Sequence, residues 1–269
     1  MLLAQNLVLL GLFFTIPLYL QVVQGLDAFQ TGLRLLPVSV TMLVASMAGP
    51  LLGRLASPRQ VVRAGLIVLL AATLWLVSAI YPELDDVSFA VSMALLGVGM
   101  GLLASQLGNV VQSSVGESDR SEVGGLQYTA QNLGSSLGTA LIGAVVIGGL
   151  ATAVGAGIES DPRVSAEVRE QVGIRLESGI SFLSVDQVRA AAVDAGLPAA
   201  EVDALVETYG EAQLVGLKVA LLAAAAILLA SFWLTRHLPN TRLAGEPADD
   251  ADLARPASRP APTDESLPR

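Results

Sequence analysis

Apolar residues fall along this chain in six long runs, separated by short polar segments and one long one. The runs are roughly Leu2–Val23, Leu35–Leu55, Ala64–Ile80, Ala90–Val111, Leu133–Val154 and Leu214–Leu234. A helix of about 20 apolar residues crosses the hydrocarbon core of a bilayer. Backbone in lipid must satisfy its own hydrogen bonds, which selects helix for each run. The pattern predicts an all-α polytopic membrane protein, with six transmembrane helices bundled over residues 1–234. The first run lacks a basic leader and a small-residue cleavage site, so it reads as a retained span rather than a signal peptide.

Composition agrees. Only 14% of residues are charged and 53% are hydrophobic, against about 25% charged in a soluble domain. The charges sit in two places. Residues 155–213 carry eleven Asp/Glu and four Arg, and 235–269 carry six and five, so most of the net −9 belongs to the long loop. That balance argues against a nucleic-acid partner. The acidic loop either favours cations or is a plain solvated surface. No cysteine is present and His237 is the sole histidine, so neither a metal site nor a cofactor is expected. There is no HExxH, no buried Asp pair, no base for a nucleophilic Ser and no P-loop. An enzyme and an ATP-driven pump are therefore both disfavoured.

Bases near the span ends set an orientation. Arg54, Arg59, Arg63, Arg120, Arg236 and Arg242 lie on one side, and Arg34 and Lys218 on the other. The positive-inside rule then puts both termini and the Arg54–Arg63 loop in the cytoplasm, with 155–213 outside. The setting expected is a plasma membrane. The preference for Arg over Lys is associated with GC-rich bacterial genomes.

The loop 155–213 carries signals for a short helical pair. Ser184 and Gln187 form a capping-box pattern, giving a helix from Val185 to about Asp194 that stops at Gly196. Pro198 then opens a second helix to Tyr209, with Val202, Leu205 and Val206 on one face. The pair is either a cap over the outer mouth or a spacer. The tail 235–269, rich in Pro, Ala, Asp and Arg, has too little apolar surface to fold and is expected to be a disordered cytoplasmic segment.

Within the spans, small residues recur four apart: Gly97 and Gly101, then Gly134 and Gly138. That spacing lets helices approach closely in lipid, as static packing or as a sliding interface. Pro17 and Pro50 each remove a backbone donor and should bend their helices. Gln106, Asn109 and Gln112, and Tyr128, Gln131, Asn132, Ser135 and Thr139, place polar groups in the fourth and fifth runs. They either line a solute path or bond helix to helix. No Asp, Glu, Lys or Arg lies near the middle of any run, so the chain by itself offers no group to couple proton flow.

Three blocks carry a family resemblance. Tyr19-Leu-Gln21-Val-Val-Gln24-Gly25 with Thr31-Gly32-Leu33-Arg34-Leu35-Leu36-Pro37, Gly49-Pro50-Leu-Leu-Gly53-Arg54-Leu55-Ala56, and Gln131-Asn132-Leu133-Gly134-Ser-Ser-Leu137-Gly138-Thr-Ala140 resemble the major facilitator superfamily. The most similar group is the 14-span EmrB/QacA-type branch of drug:proton antiporters. The similarity covers about Leu2–Leu234 and corresponds to the C-terminal six-helix half. Ser57-Pro58-Arg59 stands where that branch usually carries Asp-Arg. The resemblance implies one half of a proton-coupled multidrug or small-molecule exporter, incomplete by itself. The alternative is a non-transporting scaffold or an inert remnant. As partners it implies the lipid bilayer, a small amphipathic substrate, and either an N-terminal half or a second copy. Candidates for the substrate path are Phe13, Tyr19, Gln21, Gln106, Asn109 and Gln131. Pro17, Pro50, Gly97, Gly101, Gly134 and Gly138 are candidates for packing and gating, and Arg54, Arg59 and Arg63 form the basic cytoplasmic loop.

Overall fold

The computed structural model describes residues 2–49, 51–52, 56–113, 116 and 119–235. Pro50, Arg54, the side chains of Asn109 and Gln112, and the tail from 236 with His237 lie outside the described residues. Among the described residues all regular structure is helical. The order is α1 (Leu2–Leu18) running into a π-helical turn (Tyr19–Val23), α2 (Ala28–Met47), α3 (Pro58–Ala79), α4 (Asp86–Ser113), α5 (Arg120–Ser160), α6 (Ala166–Ser178), α7 (Val185–Asp194) and α8 (Ala199–Leu234). Six are long and apolar enough to cross a membrane: α1 with its π turn, α2, α3, α4, α5 and α8.

Several helices start before their apolar runs because polar caps start them. Asp27 accepts from the Gln30 amide at 2.7 Å while the Gln30 side chain accepts from the Asp27 amide. The second span therefore begins at Ala28 rather than Leu35. Ser57 and Gln60 form the same reciprocal pair, with Pro58 in the first turn, and the third span begins at Pro58 rather than Ala64.

The largest departure is at the long loop. The fifth helix does not stop at Val154 but runs to Ser160, and the helix opening at Ala199 does not stop at Tyr209 but continues as the last span. The 41 residues of α5 make a rod of about 60 Å, twice the hydrocarbon thickness of about 30 Å. Its C-terminal end and the N-terminal end of α8 leave the apolar zone side by side, where Gly157 receives Thr208. Glycine costs a helix interior only about 1 kcal/mol, so Gly155, Gly157 and Gly210 do not interrupt helices held by such packing.

These two projecting ends carry a cap made with α6 and α7. Ser165 caps α6 and Ser184 caps α7, the latter through a full capping box with Gln187. α7 ends in a Schellman motif: Gly196, at φ +75, bonds Val193, and Leu197 bonds Ala192. The cap has apolar cores of its own. Phe182, in the extended strap between α6 and α7, packs against both a cap core and the bundle core.

In the bundle, α1 lies parallel to α5 and α2 parallel to α4, while α3 runs against α4 and α5 against α8. The parallel pairs use the same device. Gly134 and Gly138 of α5 sit on the backbone of Leu3 and Leu7, and Gly97 and Gly101 of α4 sit on the carbonyls of Val38 and Met42. A glycine pair four apart thus meets a carbonyl pair four apart. Close backbone approach of this kind supplies the dispersion and weak Cα–H···O contacts that hold helices together where lipid removes the hydrophobic drive. Thr41 adds an interhelical hydrogen bond to the Ala94 carbonyl at 2.9 Å. Exposed aromatic residues ring both ends of the bundle: Phe29, Trp75 and Tyr81 at the cap end, Tyr128 and Trp233 at the other. That distribution suits two bilayer interfaces.

Candidate substrate-facing wall

Helices α2 and α5 are the least covered of the spans. Their exposed faces differ in chemistry. On α2 the face is apolar, formed by Leu33, Leu36, Val40, Leu43, Val44 and Met47. On α5 a polar line runs Tyr128, Asn132, Ser136, Thr139, all exposed and spaced by three or four residues. Leu133, Leu137 and Leu141 flank it. From Tyr128 to Thr139 the line climbs about 16 Å. Its groups are partly self-satisfied, since Asn132 donates to the Tyr128 carbonyl and Thr139 to the Ser135 carbonyl, each one turn back. Asn132 and Tyr128 are themselves exposed residues of that face. Such a line is costly against hydrocarbon and suits a water-containing or protein-lined space.

The candidates from the sequence separate into distinct places. Gln131 and Ser135 are half-buried beside the polar line of α5. Phe13 and Phe14 are exposed on α1, with the Phe14 ring near Gly143 of α5. Gln21 is exposed in the π turn, at the cap end. Tyr19 and Gln106 are instead buried. The Tyr19 hydroxyl donates to the Tyr81 carbonyl at 2.8 Å and accepts from Gln24 at 2.9 Å, and the ring tilts against Phe89, centroids 6.5 Å apart. Gln24 also reaches the Pro82 carbonyl at 3.1 Å. Gln106 donates to the Gly49 carbonyl at 3.2 Å, tying α4 to the end of α2. Ser136 is not among the polar positions that the sequence marks, yet it shares the exposed face with Tyr128, Asn132 and Thr139.

Pro17 and the π turn account for the local shape of α1. Proline has no amide to donate. The ladder then widens: the Gln24 amide bonds the Tyr19 carbonyl five residues back, and Gly25 at φ +67 turns the chain toward α2. This register buries both Tyr19 and Leu20. Charges serve as fasteners at the ends. Arg34 pairs with Asp86 at 2.8 Å, and Lys218 sits 4.7 Å above the Tyr81 ring at the cap end. At the other end Arg63 donates to Thr235 at 2.9 Å and lies over Phe232. Among the described residues no group of His, Cys, Asp or Glu is arranged to hold a metal.

In the cap, Arg163 joins Asp161 at 2.7 Å and Glu207 at 2.8 Å. The guanidinium donates into the Asp161 carboxylate and holds that carboxyl below its ordinary range. A depressed carboxyl contributes stability that is complete above the unfolded value, about 3.9, and lost as pH falls through the folded one. Hydrogen-exchange protection factors over residues 163–169 should therefore fall when pH drops from 7 to below 4. Asp161→Asn should lower protection at pH 7 and flatten that dependence. An unchanged profile in the variant would remove the pair from the account.

A bundle of tightly packed, glycine-joined apolar spans with a polar exposed face on α5 defines a multi-pass helical membrane protein. The profile of the Major Facilitator Superfamily matches residues 1–139, more than half the chain, and the chain belongs to that family. It is 34% identical over 139 residues to the tetracenomycin C resistance and export protein of Streptomyces glaucescens, covering 51% of this chain and 25% of that protein. It is 32% identical over 134 residues to the uncharacterized transporter YebQ of Escherichia coli K12, covering 48% and 28%. It is 25% identical over 223 residues to the multidrug efflux pump LfrA of Mycolicibacterium smegmatis, covering 83% and 41%. The chain thus spans between about a quarter and two fifths of the length of these curated relatives.

Proposed function

We propose that this chain forms one six-helix wall of a small-molecule exporter, equivalent to the C-terminal half of a 14-span EmrB/QacA-type transporter. The observation that carries the reading is the polar line on exposed α5. In an assembled transporter it faces the solute path, and the apolar face of α2 packs on the other half. The relatives named for export and efflux support the same reading. Mid-span acids are missing from this chain, so proton exchange is coupled by groups on another segment. The basic end of the bundle faces the cytoplasm of a plasma membrane and the cap faces outward.

The α5 line in such a path offers few polar contacts beside apolar area, which suits amphipathic substrates. Movement becomes vectorial only when binding differs between the two access states. In a pump-deficient bacterium, co-expression with a matching N-terminal half should lower ethidium accumulation, and the chain alone should not. Asn132→Leu with Ser136→Leu should cancel the effect of co-expression while leaving membrane levels unchanged. Full export by that double variant would overturn the assignment of the line.

A further inference from the structure

The cap encloses a second feature that lies off the α5 line. A half-open hollow of about 340 Å³ lies where α6 and α7 meet the projecting ends of α5 and α8. Its walls are mostly apolar, with Ile158, Val172, Ala191 and Leu205 contributed by the four helices in turn. The size falls within the ~300–1,000 Å³ of small-molecule sites. Gln171 and Arg175 supply polar groups. The Tyr209 hydroxyl is already engaged, accepting from the Leu183 amide and donating to the Ser181 carbonyl. On α5 the hollow begins at Val154, about 22 Å along the helix from Thr139.

Charge selects the occupant. Among the described lining residues there is no carboxylate, and the charged one is Arg175. A cation entering would find no carboxylate among these residues to pair with. An anion would have to approach through a loop segment holding eleven acids against four bases, whose field opposes it. An uncharged molecule pays neither cost, and it gains by covering apolar wall that water otherwise wets. We propose that this hollow is a binding site for an uncharged, mainly apolar small molecule. The site stands apart from the export reading, since it needs neither a second half nor a solute path.

The natural absence of cysteine gives a clean test. Val172→Cys places a thiol on the wall, and Val193→Cys places one on α7 outside the hollow, at a position 58% exposed. The full chain in lipid nanodiscs is treated with N-ethylmaleimide, with and without N-phenyl-1-naphthylamine up to its solubility limit. The probe should slow modification of V172C, by about tenfold at ten times its dissociation constant, and leave V193C unaffected. Adding Ala191→Trp, or the smaller change Ala191→Leu, should erase the protection. The sulfonated analogue 8-anilinonaphthalene-1-sulfonate, the same ring system with a negative charge, should protect poorly. An unprotected V172C thiol would overturn the proposal. Equal slowing at both thiols, protection that survives both filling changes, or equal protection by the sulfonate would also overturn it.

Discussion

Gly97→Ala and Gly138→Ala should each cost about 3 kcal/mol, the upper part of the usual range for overpacking, and together they should leave little folded protein. The expectation rests on what a methyl group would meet. At Gly97 it collides with the Val38 carbonyl and the Thr41 hydroxyl, and at Gly138 with the backbone of Leu7. Backbone cannot rotate aside as a side-chain tip can, so the helices must separate, and each separation breaks a whole line of contacts. At Gly97 it also breaks the Thr41–Ala94 hydrogen bond. Gly148→Ala is the control, because a methyl there meets nothing within 4 Å. It should be neutral to slightly stabilising, given alanine's better helix propensity. The check is thermal unfolding in detergent with the monodisperse fraction after purification. If all three single variants melted alike, the glycine contacts would not be what sets the spacing of these helices.

These contacts were half legible in the sequence. The four-residue spacing of Gly97 with Gly101 and Gly134 with Gly138 announces a helix contact, but not its partner. Which helix a glycine face meets depends on the three-dimensional arrangement, and the carbonyls of Leu3, Leu7, Val38 and Met42 have no signature of their own. The spans themselves were legible because twenty apolar residues in a row have few other fates. Their ends were not. An apolar run measures contact with lipid, whereas a helix begins at its cap, as at Asp27 and Ser57. The loop 155–213 misled for a related reason. Low hydropathy reads as loop, yet α5 and α8 continue through it because Gly157 against Thr208 and Arg163 with Glu207 support helix above the apolar zone.

The candidate wall was legible as composition and blurred as geometry. Amides and hydroxyls in the fourth and fifth runs marked the region. Only the rotation of α5 about its axis decides that Asn132 and Ser136 are exposed while Gln131 and Ser135 turn partly inward. That rotation is fixed by Gly134 and Gly138 against α1, so the residues that shape the wall are not those that line it. Tyr19 shows the opposite case. An aromatic hydroxyl in an apolar run suits a substrate path, but a widened π turn, invisible to hydropathy, rolls it into the core.

Tyr19→Ala should accordingly act on stability before anything else, by about 3–5 kcal/mol as for other buried large aromatics. The side chain is fully buried, packs on Phe89 and joins α1 to the loop after α3 through the Tyr81 carbonyl. Tyr19→Phe keeps the ring and removes one donor. The Tyr81 carbonyl retains Gln24 as a partner at 3.1 Å, so this change should cost about 1 kcal/mol, a typical single hydrogen bond. Gln24→Ala in the Tyr19→Phe background should cost more than in the native chain, because the carbonyl then loses both donors. The double-mutant cycle in detergent unfolding measures that coupling, expected at about 0.5–3 kcal/mol for groups sharing one acceptor. A residue lining the proposed export path would behave differently. Tyr19→Ala would then leave the melting temperature near that of the native chain and change which compounds are exported. That result would return Tyr19 to the wall and require α1 to turn about its axis during transport.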